Sequence, residues 1–195
     1  MSVQGVFGLP GVGKSTFLTA CAIHWNKGKS FFGIKAKPVT FTNFYCQGCY
    51  KFNFEDLGTL YFHDCNILID EIMLFADCRN FKNFSDSLTS FFALHRHFGV
   101  DIIWCSQYWN DCDKKIRNIT DNYYLLEKSR LLPSFTFVKP IKRHLGVNTD
   151  KYILASPLDW TIIFRPFYYQ HFDSHEKHVE LPEPELILWD KNDIM

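Results

Sequence analysis

The sequence lacks an excess of charge of either sign, because 21 lysine and arginine residues balance 21 aspartate and glutamate residues. This balance predicts no overall positive field that would attract nucleic acid, and it leaves room only for a local basic patch. The sequence also lacks an unbroken apolar run long enough for a membrane-spanning helix, since the longest candidates, 67–76 and 161–169, contain charged residues. A predicted strand begins at Val3 and leaves no room for a signal peptide. We therefore expect a soluble protein.

The first strong motif is a glycine-rich loop from Gly8 to Ser15 with the sequence GLPGVGKS. It fits the phosphate-loop pattern G-x-x-x-x-G-K-[ST] at every fixed position. The short apolar run from Val3 to Phe7 predicts a buried strand before it, and residues 15–25, without proline or glycine, predict a helix after it. Glycines allow the loop to turn its backbone N–H groups towards an anion, and the positive end of the helix lies at the same point.

The loop therefore predicts a nucleoside triphosphate site. Lys14 is expected to reach the β- and γ-phosphates, and the Ser15 hydroxyl is expected to bind Mg²⁺. The predicted nucleotide-binding residues are Gly8, Pro10, Gly11, Val12, Gly13, Lys14, Ser15 and Thr16.

A second motif is the sequence NILIDE at residues 66–71. An apolar strand that ends in two acidic residues is typical of the Walker B segment of P-loop ATPases. We expect Asp70 to hold Mg²⁺ through water and Glu71 to orient and deprotonate the attacking water. ATP and Mg²⁺ are the predicted cofactors.

A third segment carries a candidate sensor residue. A helix is predicted from Asp86 to about Phe98, capped by Ser85 and ended by Gly99. The apolar residues 100–105 then predict a buried strand that leads to Ser106 and Gln107. Because the carboxyl ends of parallel strands meet at the ligand-binding edge of a sheet, Gln107 is expected to contact the γ-phosphate or its attacking water.

The rest of the chain predicts shorter elements. We expect short strands at 38–41 and 123–126, further β segments at 131–138 and 161–167, and a loop at 75–84. The charged residues of 113–118 are expected on a solvated face, and Lys139, Lys142, Arg143 and His144 form a predicted basic patch. Residues 1–178 are expected to form one domain, followed by an irregular tail or linker at 179–195.

The cysteines leave two interpretations open. Seven cysteines in a cytosolic-looking nucleotide-binding protein predict reduced thiols rather than a disulfide framework. Cys46, Cys49, His63 and Cys65 also make a possible zinc set, because zinc ribbons use a C-x₂-C knuckle. The second pair is only His-x-Cys and the gap between the pairs is short. We therefore favour buried thiols with a surface histidine, and we expect no bound zinc.

The order of these motifs resembles the N-terminal ATPase domain of the zonular occludens toxin family, the assembly and export proteins of filamentous phages. The resemblance is carried by the phosphate loop, the strand that ends in Asp70 and Glu71, the sequence HRHFGVDI at 95–102, and the Ser106-Gln107 pair. The segment 172–175 also resembles the end of that domain. The resemblance spans roughly residues 3 to 178.

The resemblance implies an α/β fold, a P-loop NTPase of the additional-strand (RecA, FtsK and HerA-like) type with a mainly parallel sheet flanked by helices. It implies an ATP-hydrolysing motor in the host bacterial cytoplasm, at the cytoplasmic face of the inner membrane. The implied cargo is phage single-stranded DNA or its coat complex. Members of the family usually continue into a transmembrane helix, so we expect either a membrane partner protein or a membrane-spanning part outside this chain.

Two alternative functions stay open, a small P-loop kinase and a nucleotide-gated scaffold that barely hydrolyses ATP. Nothing close to the phosphate loop in sequence supplies the arginine that often stabilises the charge developing on the γ-phosphoryl group. Related motors form rings in which a neighbouring subunit inserts this arginine. We therefore expect a homo-oligomeric ring, with Arg117 as the favoured arginine finger and Arg96 as the alternative.

Overall fold

The computed structural model describes residues 1–53, 56–57, 62–74, 86–144 and 151–172. These residues form one mixed sheet with helices on both faces. The strands are β1 Val3–Phe7, β2 Val39–Thr42, β3 Tyr50–Lys51, β4 Cys65–Ile69, β5 Asp101–Ser106, β6 Asn122–Lys128, β7 Phe135–His144, β8 Lys151–Leu154 and β9 Thr161–Phe164. The α-helices are α1 Lys14–Asn26, α2 Asp86–Leu94 and α3 Lys114–Ile119, and 3₁₀ helices lie at Ile72–Leu74, Trp109–Asp111, Pro157–Asp159 and Arg165–His171.

The sheet has the order β3-β2-β4-β5-β1-β6-β7-β8, and β9 pairs with the other end of β7. All pairs from β3 to β6 are parallel, and the pairs made by β7 are antiparallel. The strand β5 lies between β1, which precedes the phosphate loop, and β4, which precedes the two acidic residues. This is the additional-strand arrangement, so the predicted P-loop NTPase fold is confirmed.

The central strands are apolar throughout because the sheet is covered on both faces. Every residue of β1, β4 and β5 is buried, as expected for parallel strands between two layers of helices. Ile102 and Trp104 of β5 pack with α2 and α3 on one face, while Ile103 and Cys105 pack with α1 on the other. The two hydrophobic clusters fix the register of β5 and therefore the position of the chain that follows it.

The helix predicted from Asp86 to Phe98 ends earlier, at Leu94, and residues 95–99 form tight turns. In these turns His97 donates its N–H to the carbonyl of Leu94 at 2.8 Å. The tight turns return the Phe98 ring to stack on Phe91 at 6.3 Å. Gly99 ends the segment with φ of +70°, the left-handed conformation that favours glycine.

Several shorter elements differ from the prediction. The segment predicted as β at 131–138 begins its strand only at Phe135, because 129–134 is the tip of the hairpin between β6 and β7. The segment predicted at 161–167 ends its strand at Phe164, where the sequence Arg165-Pro166 starts a 3₁₀ helix. The strands β3 and β8 and the helix α3 have no counterpart in the prediction.

The prediction of a basic surface patch is wrong for Lys139. Lys139 is only 8% exposed, its Nζ lies 2.5 Å from Glu127 Oε2, and it lies 4.1 Å from the centroid of the Trp160 ring. Its charge is compensated within the subunit and does not form a surface patch.

Other predictions fall on parts of the chain that the structure does not describe. The loop at 75–84, the Ser85 cap, the residues 173–175 of the end-of-domain segment and the tail at 179–195 lie outside the described residues. Within the described residues, no helix has the length and apolar character needed to cross a lipid bilayer.

The centre of β1 offers a test of this packing. A Cβ atom at Gly5 would lie 2.6 Å from Trp104 Cζ2 and 2.9 Å from Tyr123 Cδ1. We therefore expect Gly5→Ala to lower the free energy of unfolding by about 1–3 kcal/mol through overpacking, measured by urea denaturation. In a Trp104→Phe background, Gly5→Ala should lower the free energy of unfolding by a smaller amount, because the indole atoms that lie close to position 5 are then absent. An equal cost in both backgrounds would contradict this assignment.

Candidate functional site

The phosphate loop links β1 to α1 and has the backbone conformation that its glycines allow. Gly11 and Gly13 have φ of +76° and +99°. Gly13 is the N-cap residue of α1, and within the described residues this helix start has no side-chain cap hydrogen bond. The first N–H groups of α1 are therefore directed to the loop side without a side-chain acceptor, which is the arrangement that binds phosphate.

Three predicted catalytic side chains meet beside this loop. Lys14 Nζ donates to the carbonyl of Gly8 at 3.1 Å and lies 3.3 Å from Glu71 Oε1. Gln107 Nε2 donates to the same Glu71 oxygen at 3.3 Å. Lys14 is the first residue of α1, after the loop that follows β1, while Glu71 follows the end of β4 and Gln107 follows the end of β5. The expected convergence at one edge of the sheet is present.

The predicted metal-binding residues are also in contact. Ser15 Oγ donates to Asp70 Oδ2 at 2.5 Å. Burial raises the pKa of the Asp70 carboxyl above its usual value, while the hydrogen bond from Ser15 opposes this shift. A hydroxyl and a carboxylate side by side offer the oxygen ligands that Mg²⁺ prefers.

Asn43, which follows β2, clamps the backbone at this acidic pair. Its Oδ1 accepts the N–H of Asp70 at 2.7 Å, and its Nδ2 donates to the carbonyl of Asp70 at 2.9 Å. The next residue, Glu71, has φ of +48°, an uncommon conformation for a side chain other than glycine, asparagine or aspartate. The clamp holds the turn that directs Glu71 towards Lys14. Asn43 could not be predicted from the sequence, because side-chain bonds to a distant backbone have no local signature.

The antiparallel end of the sheet supports the loop from its other side. Thr136 Oγ1 donates to the carbonyl of Val12 at 2.6 Å. Arg165 Nη1 donates to the carbonyl of Gly11 at 3.1 Å, and its Nη2 donates to the carbonyl of Pro133. A Cβ atom at Gly13 would lie 2.8 Å from Arg165 Cδ. Close packing against this arginine is a second reason, besides its φ, for glycine at position 13.

A cleft of about 350 Å³ lies between the loop and the segment 165–172. Its lining includes predicted site residues and three residues that the sequence analysis missed, Arg165, Tyr169 and Phe172. The predicted residues in the lining are Pro10, Gly11, Gly13, Lys14, Ser15, Thr16 and Glu71. Gly8, Val12, Asp70 and Gln107 contact these residues without lining the cleft. The aromatic run at 164–172 was the available signal, but its separation from the loop in sequence concealed it.

The two arginine-finger candidates lie away from the cleft lining of their own subunit. Arg117 on α3 places its guanidinium 5.5 Å from the centroid of the Trp109 ring. Arg96 is exposed and its Nη2 lies 2.7 Å from Asp121 Oδ1. Among the described residues, Arg165 lies beside the phosphate loop, although it is remote from the loop in sequence.

The proposed zinc set is not assembled. Cys46 and Cys49 pack in the hydrophobic cluster on the α1 face, Cys65 packs in the cluster on the opposite face, and His63 is exposed. The pKa of the Cys46 thiol is raised, mainly by a hydrogen bond with Cys49 and to a smaller extent by burial. Burial raises the pKa of the Cys65 thiol to about 12. In the part of the chain that the structure describes, no three potential ligands lie close enough to share a metal ion. The alternative of buried thiols and a surface histidine fits these positions.

Comparison with known proteins confirms the resemblance found in the sequence. The family model described as "Zonular occludens toxin (Zot)" matches residues 51–146. The chain is similar to the N-terminal domain of zonular occludens toxin from Neisseria meningitidis, with 14% identity, a TM-score of 0.55, and coverage of 88% of this chain and 98% of that one. No curated protein sequence matches the chain.

Two further solved structures are similar to this chain. One is the flagellar accessory protein FlaH from Methanocaldococcus jannaschii, with 13% identity, a TM-score of 0.51, and coverage of 72% of this chain and 78% of that one. The other is the genome packaging NTPase B204 from Sulfolobus turreted icosahedral virus 2 in complex with ATP-gammaS, with 13% identity, a TM-score of 0.49, and coverage of 80% and 97%. The likeness to the toxin-family domain and to FlaH supports the fold.

The asparagine clamp can be tested without reference to activity. Asn43→Ala removes both bonds to Asp70 and leaves a half-buried N–H and carbonyl without these partners. We expect the free energy of unfolding to fall by about 1–3 kcal/mol, measured by chemical denaturation. The exposed Asn122 is the matched control, and Asn122→Ala should change stability by less than about 0.5 kcal/mol. Equal effects of the two substitutions would show that the clamp contributes nothing.

Proposed function

We propose that this protein is an ATP-hydrolysing motor for filamentous phage assembly, acting at the cytoplasmic face of the bacterial inner membrane to export phage DNA. The observation that carries hydrolysis is the contact of Glu71 with both Lys14 and Gln107 beside the phosphate loop. The phage role is supported by the family match over residues 51–146. The P-loop NTPase fold itself is supported by the strand order of the sheet and by the phosphate loop.

The phosphates of ATP bind at the start of α1. Backbone N–H groups of the loop, the positive end of the helix and the Lys14 ammonium all attract this anion. Ser15 and Asp70 would hold Mg²⁺, Ser15 directly and Asp70 through water, because their oxygens lie side by side. The ion supplies positive charge to the phosphate oxygens when it is bound.

Hydrolysis requires a base close to the γ-phosphate, and Glu71 fills this role. The water oxygen forms a bond to the γ-phosphorus, the bond from that phosphorus to the β–γ bridging oxygen breaks, and ADP leaves with the electron pair. The water proton passes to Glu71. Lys14 and Gln107 hold Oε1 of Glu71. Its Oε2 is buried without a hydrogen-bond partner among the described residues.

Phosphate release, measured with and without single-stranded DNA, tests this function. Lys14→Ala should abolish tight ATP binding, because it removes the only charged contact that the loop itself offers. Glu71→Gln should bind ATP and leave it uncleaved, because the amide keeps the shape but cannot accept the proton. The unmodified protein should release phosphate, and single-stranded DNA should increase the rate.

The other outcomes identify the alternatives. Hydrolysis of ATP by the Glu71→Gln variant at the rate of the unmodified protein would contradict the assignment of Glu71 as the base. Transfer of the γ-phosphate to an added acceptor instead of water would indicate a kinase. ATP binding by the unmodified protein without phosphate release, with or without DNA, would indicate a scaffold.

A ring of subunits would complete the site with an arginine from a neighbour. Arg117 is the predicted finger, although in this role it must leave the Trp109 ring on which it rests. Arg96 is the alternative, and the hairpin tip 129–134 offers a third candidate, Arg130, which is exposed. This tip lies at the carboxyl end of β6, on the side of the phosphate loop, because Arg165 binds both the Pro133 carbonyl and the loop.

Specific activity should therefore rise steeply with protein concentration. Arg117→Ala should lose activity while it still binds ATP, since an arginine finger raises kcat by a factor of roughly 10³ to 10⁵. Mixing Arg117→Ala with Lys14→Ala should restore some turnover at hybrid interfaces. If Arg117→Ala is as active as its parent and Arg130→Ala is not, the finger is Arg130. Activity that is independent of protein concentration would contradict the ring.

A further inference from the structure

The cleft beside the phosphate loop has a second wall that hydrolysis does not use. One wall is the loop and the start of α1, and its groups are backbone N–H groups, an ammonium and a hydroxyl. The other wall is the segment 165–172, which brings Arg165, Tyr169 and Phe172 into the lining. Tyr169 is 50% exposed although it lies on a wall of the cleft. An accessible pair of aromatic rings beside a phosphate site suits the part of a nucleotide that is flat and apolar.

This aromatic wall is held at both ends. At its start, Arg165 is 9% exposed and is bound to the carbonyls of Gly11 and Pro133. At its end, Phe172 forms a β-bridge with Cys46, and Gln47 donates its N–H to the carbonyl of His171 at 3.0 Å. The wall is therefore preformed, so a ligand that stacks on it does not have to order the segment first.

Arg165 also fixes the distance between the two walls. Its guanidinium is shared between the loop and the hairpin tip, and its Nε is buried without a hydrogen-bond partner among the described residues. The rings follow it on the same 3₁₀ helix and its C-cap. A ligand with a phosphate group at one end and an aromatic ring at the other matches this order of groups.

We propose that Tyr169 and Phe172 form the nucleobase subsite of this cleft, with the base stacked on the Tyr169 ring while its phosphates lie on the loop. The plane of the Phe172 ring is inclined by 62° to that of Tyr169, so Phe172 would meet the edge of the base. The cleft volume of about 350 Å³ falls within the range of small-molecule sites. Base stacking on an aromatic side chain does not depend on hydrogen-bond readout, since every base has a π-face. This inference rests on the proposed nucleotide binding, and it assigns the base contact to a segment far from the loop in sequence.

The experiment compares ATP with inorganic tripolyphosphate, which offers the phosphates without the base. Affinities of both ligands are measured by calorimetry for the intact chain and its variants. Tyr169→Ala should weaken ATP binding by about 10- to 100-fold and leave tripolyphosphate binding unchanged. Tyr169→Phe should bind ATP with the affinity of the unmodified protein, because it keeps the aromatic ring. Phe167→Ala is the matched control, since Phe167 is 54% exposed on the same segment and does not line the cleft.

Each other outcome overturns the inference in a distinguishable way. Unchanged ATP affinity in Tyr169→Ala, with tight ATP binding by the parent chain, would remove the subsite and leave the phosphate loop assignment intact. An equal loss for ATP and tripolyphosphate would show that the ring only supports the loop. A parent chain that binds neither ligand would contradict nucleotide binding itself. Loss of ATP affinity in Phe167→Ala as well would indicate a general disturbance of the segment.

Discussion

The parallel pairing of β4, β5 and β1 is the constraint on which the site depends. Strands that run in the same direction end at the same edge, so the chains leaving them bring Glu71, Gln107 and Lys14 together. The order is maintained by burial, because each of these strands is enclosed by apolar clusters on both faces. A shift of β5 by one residue would exchange the faces of Ile103 and Trp104 and would carry Gln107 away from Glu71.

Part of this arrangement could be predicted from the sequence because its signals are local. The loop from Gly8 to Ser15 has fixed spacing, and an apolar strand ending in Asp70 and Glu71 is visible within six residues. Gln107 required one further step, the rule that strand ends share an edge. The mainly parallel sheet and its additional strand then followed from the family resemblance, and the strand order confirms them.

The other part could not be predicted, because it depends on contacts between distant segments. Asn43 and Thr136 act by hydrogen bonds to backbone groups, which place no demand on the neighbouring sequence. Arg165 lies 154 positions from the glycine it contacts. For the possible zinc set, the cysteine spacing is visible in the sequence. The spacing does not show that Cys46 and Cys65 lie on opposite faces of the sheet.

The bonds between the phosphate loop and the β6–β7 hairpin also have a mechanical meaning. Arg165 ties the Gly11 carbonyl to the Pro133 carbonyl, and Thr136 of β7 holds Val12. Because hydrogen bonds are directional, a rigid shift of the loop either carries the hairpin with it or breaks these bonds. A shift of the loop that preserves these bonds would therefore also move the surface at the hairpin tip, where Leu131 is 92% exposed.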